Sequence, residues 1–134
     1  WARNVDGSAR RLTVSSINRL EDSTASFQSI AQWDEAGYLP ALIALTRRVW
    51  RDRAFGDVWP YMLIAEGQIE MVAEFGVKEY DIAAAVPIIR EAGGTFTSFD
   101  GEDTLSARSS LATNGTLHQD FLALLHQTHP DPLA

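Results

Sequence analysis

The stretch KEYDIAAAVPIIREAGG, from Lys78 to Gly94, is the most informative part of the chain for the fold. Its apolar residues recur at the three- and four-residue spacing of a helix, and paired glycines are typical of a helix end. We therefore predict a helix over Tyr80–Ala92, with Asp81 at its start and Gly93 after its end. Pro87 falls well inside this predicted helix, where a proline removes one backbone hydrogen bond.

The carboxylate of Asp81 has two interpretations. It can cap the helix, because the first backbone N–H groups of a helix have no partner inside it. It can also belong to a binding site, because Glu74 ends the preceding predicted strand and Glu79 lies between the two acids. A strand end and the start of the next helix meet at one edge of an α/β sheet, where such folds bind ligands. Mg²⁺ at that edge would need one or two carboxylates, waters and a substrate phosphate, and this chain offers only part of that set.

The rest of the chain alternates between predicted strands and helices with short connections. The Asp6-Gly7 pair predicts an N-terminal hairpin. The other predicted strands are Ser23–Ile30, Arg47–Arg51, Ile69–Phe75, Thr95–Phe99 and Ser110–Thr113, and the other predicted helices are Ala36–Arg48, the segment between Asp57 and Gly67, and Leu117–His126. This order favours an α/β fold, a layered domain in which helices flank a mixed β-sheet. We expect one domain over residues 1–134, with a frayed tail at 127–134.

The composition argues against several classes of function. The chain has 134 residues, a formal net charge of −7 and no cysteine. The negative charge opposes binding to nucleic acid or an anionic membrane, and the lack of cysteine excludes disulfides, thiolate metal sites and a cysteine nucleophile. No apolar run approaches the roughly 20 residues that span a bilayer, and we expect a cytoplasmic protein. Because the chain opens on Trp1 without an initiator methionine, we interpret it as a piece of a longer protein.

A second predicted strand-to-helix junction lies at Gly56-Asp57. Asp57 can be a plain N-cap, or its carboxylate can face a cationic part of a substrate. Arg53, at the end of the preceding basic segment, can hold an anion or can remain a solvated charge. No serine lies in a Gly-x-Ser-x-Gly elbow, so a serine hydrolase is not indicated.

The helix stretch also carries a family signature. Tyr80-Asp81-Ile82-Ala83-Ala84, followed by the apolar run from Pro87 to Glu91-Ala92-Gly93-Gly94, resembles the C-terminal motif of the inositol monophosphatase family. The family pattern is Trp-Asp-x-Ala-(Ala/Gly) and then an apolar run that ends in Glu-Ala-Gly-Gly, so Tyr80 departs from the usual Trp. The resemblance extends from about Trp1 to Leu125 and is weakest before Arg47.

The resemblance implies the C-terminal half of the family's αβαβα fold and magnesium-dependent hydrolysis of a small phosphate monoester by a metal-activated water. Asp81 would match a metal-ligating aspartate, and Glu74 would match a contact to a substrate hydroxyl or amine. The family's Glu-Glu pair and Asp-Pro-(Ile/Leu)-Asp-Gly-Thr motif, which supply most metal ligands, do not occur in this sequence. We therefore expect the segment to be inactive without the N-terminal half of the enzyme, and the family implies a homodimer.

Within the family, the run from Arg53 through Gly56-Asp57 to Gly67 looks most like actinobacterial histidinol-phosphatases. Many inositol phosphatases carry a small residue in place of Asp57, whereas a carboxylate suits a substrate with an ammonium group. We therefore predict histidinol phosphate, an intermediate of histidine biosynthesis, as the substrate, with Asp57, Glu74 and Arg53 as its contacts. The alternatives are inositol-1-phosphate, another sugar or nucleotide phosphate, or a non-catalytic module of the same fold.

Overall fold

A five-stranded mixed sheet organises the part of the chain that the computed structural model describes, residues 1–127. The strands are β1 (Ala2–Arg3), β2 (Ala9–Arg10), β3 (Thr24–Ser26), β4 (Arg51–Arg53), β5 (Met71–Phe75), β6 (Thr95–Thr97) and β7 (Ser109–Thr113). The helices are α1 (Ile30–Glu35), α2 (Leu39–Arg48), α3 (Trp59–Ala65), α4 (Glu79–Ile82), α5 (Ala85–Glu91) and α6 (His118–Gln127), with a 3-10 turn at Leu20–Asp22. We predicted a frayed tail over 127–134. Apart from Gln127, this segment lies outside the described residues.

The strand order in the sheet is β4-β3-β5-β7-β6. β3 runs parallel to β4 and to β5, whereas β7 runs antiparallel to β5 and to β6. β1 and β2 form a separate antiparallel hairpin around Asp6-Gly7, which confirms that prediction. The expected fold, a mixed sheet flanked by helices, is also confirmed, and the chain leaves its three parallel strands at one common edge of the sheet.

Side chains alternate along the central strands and enter two hydrophobic cores, one on each face of the sheet. Met71 and Ala73 of β5 pack with α1, α2 and α6, whereas Val72 packs with α3, α4 and α5. Glu74 follows Val72 by two positions and therefore shares its face, the one covered by α3. None of the helices within residues 1–127 combines the length and apolar character needed to cross a membrane.

The segment after β3 differs from the prediction of a strand over Ser23–Ile30. The strand stops at Ser26, and Gln28, with a left-handed φ of +68°, turns the chain into α1. Trp33 of α1 is fully buried, donates its indole N–H to the Phe27 carbonyl oxygen at 2.8 Å and packs edge-to-face on Phe75. The sequence analysis missed α1 because six residues are too few to show a helical period.

The predicted helix Tyr80–Ala92 is two helices, α4 and α5, separated at Ala83-Ala84. This interruption explains why a proline is tolerated at position 87. In one continuous helix its missing N–H would remove an internal hydrogen bond, but in α5 it occupies the first turn, where N–H groups have no internal partner. The predicted end is confirmed, because Gly93 and Gly94 donate their N–H groups to the carbonyl oxygens of Arg90 and Ile89.

Two predicted boundaries between α2 and α3 were wrong. α2 ends at Arg48 as predicted, where basic side chains suit the negative end of the helix dipole. The strand therefore begins at Arg51 and not at the predicted Arg47. Asp57 is not an N-cap, because the residue before α3 is Val58 and no side chain caps that helix. Asp57 instead has a left-handed φ of +60°, which places it in the loop that leads to the helix.

Candidate active site

A cleft of about 230 Å³ lies at the edge of the sheet where the chain leaves the parallel strands. The residues that line it come from the loop after β3, α1, the loop before α3, the end of β5 with the loop that follows it, and α4: Gln28, Gln32, Asp57, Val58, Glu74, Phe75, Gly76, Val77 and Asp81. The cleft thus occupies the position where open α/β sheets bind ligands.

Three of the four predicted site residues meet in this cleft. Asp57, Glu74 and Asp81 all line it, although they lie on three different segments of the chain. Arg53 does not line it: its side chain is exposed and donates a hydrogen bond to the Asp52 carbonyl oxygen at 2.7 Å. The role of each residue toward a substrate or metal stays a prediction.

Glu74 is the buried carboxylate of the site, with a side chain only 6% exposed. The Tyr61 hydroxyl donates to Glu74 Oε1 at 2.6 Å and also hydrogen-bonds the hydroxyl of the buried Ser110. Burial raises the pKa of Glu74, the neighbouring charges of Asp81 and Asp57 raise it further, and the hydrogen bond from Tyr61 opposes this rise. The pKa of Tyr61 lies well above its ordinary value, because the ring is buried and Glu74 is close.

Asp81 is exposed at the rim of the cleft. Its Oδ2 accepts the Lys78 backbone N–H at 2.9 Å, so one carboxylate oxygen caps the start of α4, as the first interpretation of this residue expected. Among the described residues, the other oxygen has no hydrogen-bond partner. The capping contact therefore leaves Oδ1 available to a ligand.

The sequence analysis missed two glutamines of the cleft. The side-chain oxygens of Gln28 and Gln32 are buried and have no hydrogen-bond partner in the described part of the chain. Gln28 and Asp57 are also two of the three non-glycine residues with positive φ within residues 1–127. Unpaired buried polar atoms and left-handed backbone both cost free energy, and they concentrate at functional sites. No pattern in the sequence marks these glutamines, because their environment arises only in the folded chain.

The charges of the cleft are all negative. Three carboxylates and two amides line it, and neither lysine nor arginine is among its lining residues. Within residues 1–127, no three histidine, aspartate or glutamate side chains are close enough to hold a metal ion by themselves. The donors are nevertheless oxygens, the ligand type that Mg²⁺ prefers. The residues present, with Asp81 at the rim, therefore fit one side of a magnesium site.

A larger cleft, of about 720 Å³, lies away from these carboxylates, between the N-terminal hairpin, α3 and α5. Its lining is mostly apolar and includes Trp1, Leu12, Met62 and Ile88. Size alone does not make a reactive site, whereas perturbed titratable groups that converge in a cleft are a physical indication of one. The smaller cleft is therefore the candidate active site.

Known proteins resemble this chain in sequence. The model of the inositol monophosphatase family matches residues 16–129. A histidinol-phosphatase of Streptomyces coelicolor is 43% identical over 122 residues, which are 91% of this chain and 46% of that protein. A histidinol-phosphatase of Mycobacterium tuberculosis is 43% identical over 124 residues, which are 92% of this chain and 48% of that protein. The chain thus spans about half the length of these curated relatives.

Solved structures share the fold. An inositol monophosphatase from Zymomonas mobilis superimposes with a TM-score of 0.78 over 86% of this chain and 46% of that chain, at 22% sequence identity. At that level of identity, the likeness shows the fold alone.

Proposed function

The chain belongs to the inositol monophosphatase family, and we propose that it is the C-terminal half of a magnesium-dependent phosphatase that hydrolyses histidinol phosphate. The observation that carries this proposal is the convergence of Asp57, Glu74 and Asp81 in a cleft whose lining holds no basic residue. Such a cleft suits a cationic organic group and one side of a metal site. The similarity to two histidinol-phosphatases supports the same substrate.

On this proposal, Asp81 holds magnesium through the carboxylate oxygen that does not cap α4. Bound magnesium would supply electrostatic activation of the attacking water and stabilisation of the leaving oxygen. The remaining ligands would come from the N-terminal half of the enzyme, so this chain alone would be inactive. Its own residues would bind and orient the organic part of the substrate beside the metal.

The ammonium group of histidinol phosphate would lie between Asp57 and Glu74. Hydrogen bonds from an ammonium to a carboxylate are charge-assisted and stronger than those between neutral groups. Glu74 is buried and held by Tyr61, whereas Asp57 is exposed on the loop before α3. One carboxylate would therefore fix the position of the ammonium, and the other would attract it from solvent. The predicted anion contact of Arg53 remains part of the proposal, although its side chain lies outside the cleft lining.

Inositol-1-phosphate is the second candidate substrate. The observation that favours it is the burial of Glu74, because burial raises the pKa of this carboxyl group and so disfavours the charged form that an ammonium group needs as its partner. Asp57 separates the two candidates, since its charge attracts an ammonium far more strongly than a hydroxyl.

The test uses the complete enzyme, assayed with magnesium on both substrates. Asp81→Asn should lower kcat at least about 100-fold without unfolding the protein, because the asparagine oxygen can still accept the Lys78 N–H. Asp57→Ala should raise the KM for histidinol phosphate roughly tenfold and change the KM for inositol-1-phosphate less than twofold. Asp120→Asn, an exposed residue of α6, is the matched control. Full activity of the Asp81 variant would refute the metal role, and equal losses on both substrates would refute the substrate assignment.

A further inference from the structure

The geometry behind Glu74 points to a selectivity device: we propose that Tyr61 and Ser110 are positioning residues that hold Glu74 as an ionised acceptor. They would thereby favour phosphate monoesters whose organic part carries a positive charge over those whose organic part is neutral. This inference rests on the proposed function, because Glu74 must contact the substrate. It adds two residues from elements that do not line the cleft, α3 and β7.

The three side chains form a buried hydrogen-bonded line. Tyr61 is 1% exposed and Ser110 is fully buried. Ser110 lies directly opposite Glu74 in the β5–β7 register, so both side chains emerge on the face of the sheet that α3 covers. Tyr61 reaches this pair from the helix and hydrogen-bonds both of them.

The direction of these hydrogen bonds follows from the number of hydrogens. A phenol has one O–H, and an ionised carboxylate can only accept. With Glu74 ionised, Tyr61 donates to Glu74 Oε1, and its one hydrogen is then used, so the Ser110 hydroxyl donates to the Tyr61 oxygen. A donor that is itself hydrogen-bonded through its oxygen is polarised and donates more strongly. Ser110 thus strengthens the contact that fixes the glutamate.

Fixing Oε1 has two consequences for the substrate. The carboxylate plane cannot rotate freely, so its second oxygen stays in place for a donor in the cleft. The Tyr61 hydrogen bond also favours the ionised form of Glu74, against burial and against the charges of Asp57 and Asp81, which favour the protonated form. An ionised Glu74 binds an ammonium group more strongly than a neutral hydroxyl group. A protonated Glu74 would bind a neutral hydroxyl group nearly as strongly as an ammonium group.

The decisive experiment measures kcat and KM of the complete enzyme and of Tyr61→Phe on histidinol phosphate and on the analogue whose ammonium group is replaced by hydrogen. The phenylalanine ring keeps the packing of α3 and removes only the hydroxyl. We expect the KM for histidinol phosphate to rise about tenfold, kcat to stay within about twofold, and the KM for the analogue without the ammonium group to stay within about twofold. Tyr80→Phe removes an exposed tyrosine hydroxyl and serves as the matched control.

Equal effects of Tyr61→Phe on the two substrates would overturn the inference, because a purely structural residue would act on both. Ser110→Ala is the second variant and should raise only the KM for histidinol phosphate, about two- to threefold, even if Tyr61→Phe fails to fold. A wild-type enzyme that hydrolyses no phosphate monoester would refute the proposed function instead. The inference would then be decided by calorimetry with histidinol: roughly tenfold weaker binding in Tyr61→Phe supports it, and equal binding overturns it.

Discussion

His118 should make the stability of the fold depend on pH in the range between neutral and mildly acidic. It begins α6 and is only 3% exposed. Its Nε2 and Nδ1 atoms each lie 2.9 Å from a threonine hydroxyl, Thr97 Oγ1 and Thr113 Oγ1. Burial lowers the pKa of His118 from 6.5 to about 4, since the buried site disfavours the charged imidazolium.

The sign of the effect follows from proton binding. Between pH 6.5 and about 4, the unfolded chain binds a proton at His118 and the folded chain does not. The contribution of this residue to stability is therefore fully present above pH 6.5 and is lost as the pH falls toward about 4. At about 1.4 kcal/mol per unit of pKa, the complete loss is at most about 3 kcal/mol, and about 2 kcal/mol of it falls between pH 7 and pH 5.

Urea denaturation of the chain at pH 7, 6 and 5 measures this loss. His118→Gln provides the comparison, because glutamine can hydrogen-bond the threonine hydroxyls but does not titrate. The free energy of unfolding should fall by about 2 kcal/mol more in the wild type than in this variant. The raised pKa of Glu74 works in the opposite direction, and the comparison cancels it because both proteins carry Glu74. His126→Gln, at an exposed position of α6, is the control. Parallel pH dependences of the wild type and His118→Gln would refute the reasoning.

Two further substitutions test the packing of the site and of the sheet by urea denaturation. Gln28→Gly should raise the free energy of unfolding by about 1 kcal/mol, because glycine adopts the left-handed backbone without strain and the unpartnered buried oxygen is removed. No gain in the free energy of unfolding would show that the loop is unstrained. Gly94→Ala should lower the free energy of unfolding by about 3 kcal/mol, because the added Cβ would lie 2.6 Å from the Thr113 carbonyl oxygen and 2.7 Å from Ile89 Cγ2. A loss below about 1 kcal/mol would contradict the close approach of the end of α5 to β7.

The sequence predicted the fold where local signals agree with tertiary structure. Paired glycines ended a helix at Gly93, and the Asp-Gly turn gave the N-terminal hairpin. Prediction failed where packing overrides the local pattern. α1 exists because Trp33 fills the core, a contact that no local rule contains. Pro87 was placed in a helix interior because the interruption at Ala83-Ala84 consists of good helix formers and leaves no signal in the sequence.

The same distinction applies to the residues of the candidate site: those marked by a local pattern were predicted, and those brought together only by packing were not. Glu74 and Asp81 were found because a strand end followed by a helix start is visible in sequence, and the structure places them in one cleft. No pattern in the sequence marked Tyr61 as a site residue, since an aromatic residue in an apolar helix is typical of a hydrophobic core. Its partner Ser110 lies 49 residues away along the chain, so the contact exists only through the pairing of β5 with β7.

The charge of the cleft also limits what this chain can do for a phosphate monoester. A phosphate dianion beside three carboxylates is repelled, and no arginine or lysine lines the cleft to offset that repulsion. On the proposed function, neutralisation of the phosphate must therefore come mainly from magnesium and from groups outside the cleft lining, among which the proposal counts Arg53 and the N-terminal half of the enzyme. What the described residues offer is acceptors for a positively charged organic group and, at the rim, the carboxylate oxygen of Asp81 that does not cap α4. Substrate selectivity and phosphate activation would thus reside in different parts of the enzyme, which explains why a chain with so few candidate metal ligands still carries a buried, hydrogen-bonded carboxylate.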